Sequence, residues 1–157
     1  MNLKPILYAE DEDNDVIFMQ HACQKAGLQN PLIVVGDGVQ AIDYLAGTGN
    51  YSDRQQHPLP CLVLLDLKLP YKSGLDVLEW MRAHPAVPPL PAVMLTSSNQ
   101  DSDILRSHTL GASAYLIKPP TAEKLKRTLK SLKEYWLELN PPMPDPFSFA
   151  LETTAHS

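Results

Sequence analysis

Glu10, Asp11, Asp66, Thr96 and Lys118 each stand where a short apolar run ends, after Ile6 to Ala9, Cys61 to Leu65, Ala92 to Leu95 and Ala114 to Ile117. Three carboxylates gathered in one cleft repel one another, and either raised pKa values or a bound cation must offset that repulsion. A hard divalent ion suits an all-oxygen set. Magnesium takes an octahedron and keeps several waters, so Asp11, Asp66 and a backbone carbonyl are expected to ligate it, with Glu10 holding one of its waters. Asp66 then remains partly open to reaction. Lys118 is placed to balance charge on an incoming phosphoryl group, and the Thr96 hydroxyl to donate to one of its oxygens.

Each residue alone has a plainer explanation. An acidic run such as Glu10 to Asp15 is more often a solvated helix start, and Asp13 to Asp15 is read that way. A lone aspartate after a strand is usually a turn residue, a lone lysine a surface charge, and a lone threonine a strand end. The joint placement lifts the set above these explanations, because in an open parallel sheet the ligand site lies beyond the carboxyl ends of the strands.

The elements that must position the set are legible as alternating patterns. Apolar runs at Pro5 to Ala9, Leu32 to Val35, Cys61 to Leu65, Ala92 to Leu95 and Ala114 to Ile117 read as buried strands. Helical spacing follows each: Val16, Met19, Ala22, Cys23 and Ala26 up to Gly27, with Asp13 to Asp15 offering caps; then Val39, Ala41, Ile42 and Leu45. Gly74 to Arg82, Asp101 to Leu110 before Gly111, and Thr121 to about Leu139 complete the set. Gly47 to Pro60 reads as a long surface loop. Continuously apolar strands alternating with helices imply a parallel sheet covered on both faces. The fold class is therefore α/β, with five strands and five helices.

The 157 residues, 44% hydrophobic and 20% charged, suit one domain with a true core, expected over 1–140, with 141–157 as a proline-rich tail. With 13 Lys and Arg against 18 Asp and Glu, the net charge of −5 disfavours direct DNA binding. The early apolar run is too short for a signal segment or a membrane span, so a cytoplasmic location is expected. Cys23 and Cys61 lack metal spacing and read as reduced, buried thiols.

These residues carry a resemblance. With Glu10-Asp11 as the acidic pair, Asp66, Thr96, Lys118-Pro119 and the run Leu-Asp-Leu-Lys-Leu-Pro at 65–70, the chain resembles a response-regulator receiver domain of two-component signalling from Pro5 to Leu139. It is most similar to the stand-alone regulators paired with cyanobacterial and bacterial phytochromes, in the long loop before the third strand and in Tyr135-Trp136-Leu137-Glu138. The resemblance implies a flavodoxin-like, doubly wound sheet of order 2-1-3-4-5. It implies Asp66 as phosphoacceptor for a histidine kinase, Thr96 and Tyr115 as a switch pair, and the Lys68 backbone carbonyl among the Mg2+ ligands. A protein that assists its own phosphorylation and dephosphorylation rather than an enzyme, and a cis peptide at Lys118-Pro119, are implied likewise. The acidic pair departs from the usual Asp-Asp, and Pro120 adds a second proline.

Two other readings compete. Asp11-Glu12-Asp13 matches the Asp-x-Asp spacing of a magnesium-dependent phosphatase with Asp11 as nucleophile, but this leaves Asp66 without a role, and Pro119-Pro120-Thr121 stands where further acids are wanted. A flavin binder needs amide and hydroxyl donors after the first strand, where this chain has four acids. On the last helix, Leu125, Leu129, Leu132 and Trp136 form the core stripe, while Tyr135, Leu137 and Leu139 lie off it and want a cover. The tail, through Met143, Phe147 and Phe149, or a second copy would supply it; the resemblance favours a homodimer through this helix.

Overall fold

Each apolar run is a strand in the computed structural model, which describes residues 3–85, 89–97 and 102–132. β1 (Ile6–Ala9), β2 (Leu32–Val35), β3 (Leu62–Asp66), β4 (Ala92–Thr96) and β5 (Ala114–Ile117) form one parallel sheet in the order β2-β1-β3-β4-β5. Between and after them run α1 (Asp13–Lys25), α2 (Gly38–Ala46), α3 (Gly74–Ala83), α4 (Ser102–Thr109) and α5 (Ala122–Ser131). This is the doubly wound fold expected from the sequence. No helix among the described residues is long and apolar enough to cross a membrane.

Strand side chains alternate between faces, so every strand feeds two cores. Ile6, Tyr8, Leu62 and Leu64 pack with Met19, Ala22 and Cys23 of α1 and Leu125 and Leu129 of α5. Leu7, Ala9, Val63 and Leu65 pack on the other face against α2 and α3. The register matches Ala9 with Leu65, Asp66 with Leu95 and Thr96 with Ile117, which levels the carboxyl ends of β1, β3, β4 and β5. The residues following those strands therefore meet.

Local chemistry starts and stops the helices. The Asp37 carboxylate accepts from the Gln40 amide at 2.7 Å, Ser73 and Asp76 form a reciprocal capping box, and Thr121 accepts from the Lys124 amide at 3.1 Å. Gly47 ends α2 at φ +71°, a conformation glycine adopts without strain. Glycine is also required at 38 and 74: a Cβ at 38 would collide with the Lys72 carbonyl, and one at 74 with the Asp66 carbonyl.

The structure differs from expectation at three places. α1 begins after Glu12 with no side-chain cap, so Asp13 to Asp15 do not cap it. The loop from Gly47 to Pro60 is a built segment: a 3-10 turn at Gly49–Tyr51, then Arg54, whose guanidinium donates to the carbonyls of Tyr44 and Leu45 at 2.7 Å each and of His57 at 3.1 Å. Arg54 thereby supplies a donor to the Leu45 carbonyl at the end of α2 and a second one to the Tyr44 carbonyl, which also accepts from the Gly47 amide at 3.2 Å. The rings of Tyr44, Tyr51 and His57 pack beside it, and Tyr44 donates to the Pro58 carbonyl at 2.9 Å. Third, Ser131 is the last residue of α5, with Leu132 packed on the core; the expected continuation to Leu139, with Tyr135, Trp136 and Leu137, lies outside the described residues, as does the tail.

Candidate functional site

The site forms where the four strand ends meet. Glu10 follows β1 and is 2% exposed, Asp66 ends β3 at 5%, and Thr96 ends β4 at 2%. Lys118 follows β5, its amide donating to the Thr96 carbonyl at 2.8 Å, and the peptide joining it to Pro119 is cis. A cleft of about 280 Å³ opens here, lined by Asp11, Glu12, Asp66, Leu67, Lys68, Thr96, Ser97 and Lys118. The structure thus brings together every acid, hydroxyl and amine singled out from the sequence.

Lys118 organises the centre. Its Nζ lies 2.8 Å from Asp66 Oδ2, 2.9 Å from Glu10 Oε1 and 2.9 Å from Asp15 Oδ2. The remaining oxygens are held by the backbone: the Lys68 amide donates to Asp66 Oδ1 at 3.1 Å, and the amides of Asp11 and Glu12 to Glu10 Oε2 at 3.2 and 3.3 Å. From beneath, the buried Tyr8 hydroxyl donates to Glu10 Oε1 at 3.1 Å.

One ammonium does not balance these acids. Burial, and then the shared hydrogen bond with Asp66, push the Glu10 carboxyl up to about 7, against the pull of Lys118. Burial would lower the Lys118 ammonium, but its contacts with Asp66, Asp15 and Glu10 prevail and hold it above the ordinary lysine value. Burial and the adjacent Glu10 charge raise the Tyr8 phenol in turn. Carboxylate oxygens of Glu10, Asp11 and Asp66 lie within 4.8 Å of one another. That all-oxygen set, with Glu10 already drawn toward a proton, fits a hard divalent cation.

Sequence reasoning missed two members. Asp15 was assigned to a solvated helix start, yet its carboxylate reaches Lys118. Tyr8 read only as a strand residue, although a tyrosine in an otherwise aliphatic strand was a signal, since a buried hydroxyl needs a partner. Tyr115 lies partly buried on the α2 and α3 side, its hydroxyl donating to the Ile104 carbonyl of α4 at 3.2 Å. Asp11 is exposed, and the amine turns to Asp66 instead, which disfavours Asp11 as a phosphatase nucleophile.

The chain is similar to known proteins in sequence and in fold. A family model described as the response regulator receiver domain matches residues 6–130. The chain is 36% identical over 135 residues to the probable methanogenesis regulatory protein FilR2 of Methanothrix harundinacea, covering 86% of this chain and 84% of that one. It is 33% identical over 135 residues to the response regulator Rcp1 of Synechocystis, covering 86% and 90%. The Mn2+-bound structure of Rcp1 superposes with a TM-score of 0.69 at 30% identity, covering 90% of this chain and 99% of that one. The bacteriophytochrome response regulator RtBRR superposes with a TM-score of 0.76 at 38% identity, covering 98% and 90%.

Proposed function

From the premise that the chain belongs to the response regulator receiver family, related to the phytochrome response regulators, we propose that Asp66 is its phosphoacceptor. A carboxylate oxygen of Asp66 attacks the phosphorus of a phosphohistidine in line. The P–N bond breaks, its electron pair returns to the imidazole nitrogen, and an acyl phosphate forms. Lys118, at 2.8 Å from Asp66, meets the charge on the transferred group, and this contact carries the reading. Thr96, at the rim of the same cleft, donates to a phosphoryl oxygen.

Mg2+, held by Asp11, Asp66 and the Lys68 backbone carbonyl with Glu10 on one of its waters, would neutralise the charge that builds between nucleophile and phosphoryl group. The Mn2+-bound Rcp1 supports a divalent cation in this family. A histidine kinase of phytochrome type is the proposed donor, on the likeness to Rcp1 and RtBRR. Slow hydrolysis at the same site returns Asp66 to its free form. Output is binding of a protein partner in the cytoplasm rather than DNA, through a switch in which Thr96 moves to the phosphoryl group and Tyr115 follows, with a second copy paired through the last helix.

Labelling from a histidine kinase or acetyl phosphate tests the reading. Wild-type protein is expected to label, EDTA to stop it, and Asp66→Asn to remain unlabelled; equal labelling of Asp66→Asn sinks the assignment. Faster transfer from a phytochrome-type kinase than from other histidine kinases supports the donor, and no preference removes it.

A further inference from the structure

We infer that Asp15 is a positioning residue for Lys118, anchoring the ammonium while Glu10 and Asp66 give their oxygens to other partners. The inference rests on the reading of Asp66 and Lys118 above. A lysine ammonium sits at the end of a flexible four-carbon stem and is located only by what its N–H groups meet. Here three carboxylates meet it, from the end of β1, the first turn of α1 and the end of β3. Glu10 and Asp66 belong to the acidic cluster within 4.8 Å; Asp15 does not. Asp66 also surrenders an oxygen when it takes a phosphoryl group. Asp15 is thus the one partner of Lys118, among the described residues, on which neither cation nor phosphoryl group makes a claim.

A helix start explains an acid at this position but not where its side chain goes. Asp13 stands in the same first turn and is exposed, whereas Asp15 is turned inward with its side chain 27% exposed. Its backbone is tied in as well: the Tyr8 hydroxyl that donates to Glu10 lies 3.5 Å from the Asp15 carbonyl. Tyr8, Glu10, Lys118 and Asp15 therefore close a ring that fixes α1 against the end of β5.

Acetyl phosphate labelling of the full chain tests this in wild type, Asp15→Ala, Asp15→Asn, Lys118→Met and the Asp15→Ala, Lys118→Met pair. Asp15→Ala is expected to slow the saturated rate on the order of tenfold, with the half-saturating donor concentration unchanged. Asp15→Asn, which still offers an oxygen, is expected to recover part of it. In the Lys118→Met background Asp15→Ala is expected to change nothing further, because the carboxylate acts only through the amine. A wild-type rate in Asp15→Ala, or an equal loss in both backgrounds, overturns the inference. The isotope-labelled Lys118 ammonium signal gives a reading without turnover: it is expected to be protected from exchange in wild type and lost in Asp15→Ala, and an unchanged signal overturns the anchor. Should Asp15→Ala fail to fold, Asp15→Asn carries the same comparison, with a wild-type rate overturning it. Labelling of Asp66→Asn sinks the underlying reading, whereas normal labelling of Asp15→Ala with Asp66→Asn silent sinks this one alone.

Discussion

Lys118 and Arg54 each gather three oxygens, at opposite ends of the sheet, and they differ in what those oxygens are. Around Lys118 they are carboxylates, and burial, followed by the neighbouring Asp66, leaves Glu10 drawn toward a proton. Around Arg54 they are backbone carbonyls that cannot ionise and need only a donor of the right shape. One cation serves by its charge, in a centre left short of balance; the other serves by its planar fork, in a centre fully matched. Reactivity lies where the balance is incomplete.

Removing each cation should break the comparison most sharply. Lys118→Met is expected to slow acetyl phosphate labelling by roughly a hundredfold, while Arg54→Ala leaves the labelling rate near wild type. In urea unfolding, Arg54→Ala is expected to cost about 2–3 kcal/mol, because it removes the side-chain donor from the carbonyls of Leu45, Tyr44 and His57, and Arg54→Lys to restore less than half. A full restoration by lysine would mean that charge, not shape, matters there.

The pH dependence sharpens the electrostatic half. Glu10 has its carboxyl raised from 4.5 to about 7, so the folded state binds more protons than the unfolded state between those values. Stability of the metal-free protein is therefore expected to fall as pH rises through that window, and Glu10→Gln to flatten the change, both read from urea midpoints in EDTA. Lys118 has the same sign in a higher window: its raised ammonium stabilises the fold below the ordinary lysine value of 10.5, and that contribution is lost as pH climbs through the folded value. The smallest effect is expected at the start of α2, where Asp37→Ala removes a cap for about 1 kcal/mol without altering labelling.

What the sequence disclosed follows the same division. Strands that are apolar on both faces, and the acids, hydroxyl and amine that end them, are written in side-chain type, so the sheet and the cleft could be laid out from the sequence. Arg54 was not legible because its partners are backbone carbonyls, which carry no side-chain signature. Asp15 was missed because an acid at a helix start already has a local explanation, and its partner Lys118 is remote in the chain. The capping expected of Asp13 to Asp15 failed because the helix begins at Asp13, which puts all three inside the first turn and Glu12 at the cap position.

Gly38 and Gly74 bear on how a lineage can drift. At either position any side chain would strike a carbonyl, of Lys72 or of Asp66, so selection should discard every other letter there. Between them Lys68, at the cleft, and Lys72 are exposed and meet no such veto, while the exposed Tyr71 sits at φ +66°, a conformation few side chains adopt. The path of that loop is inherited while its outward wording stays editable, and descendants of this chain are equipped to change interlocutors without disturbing the residue they speak to.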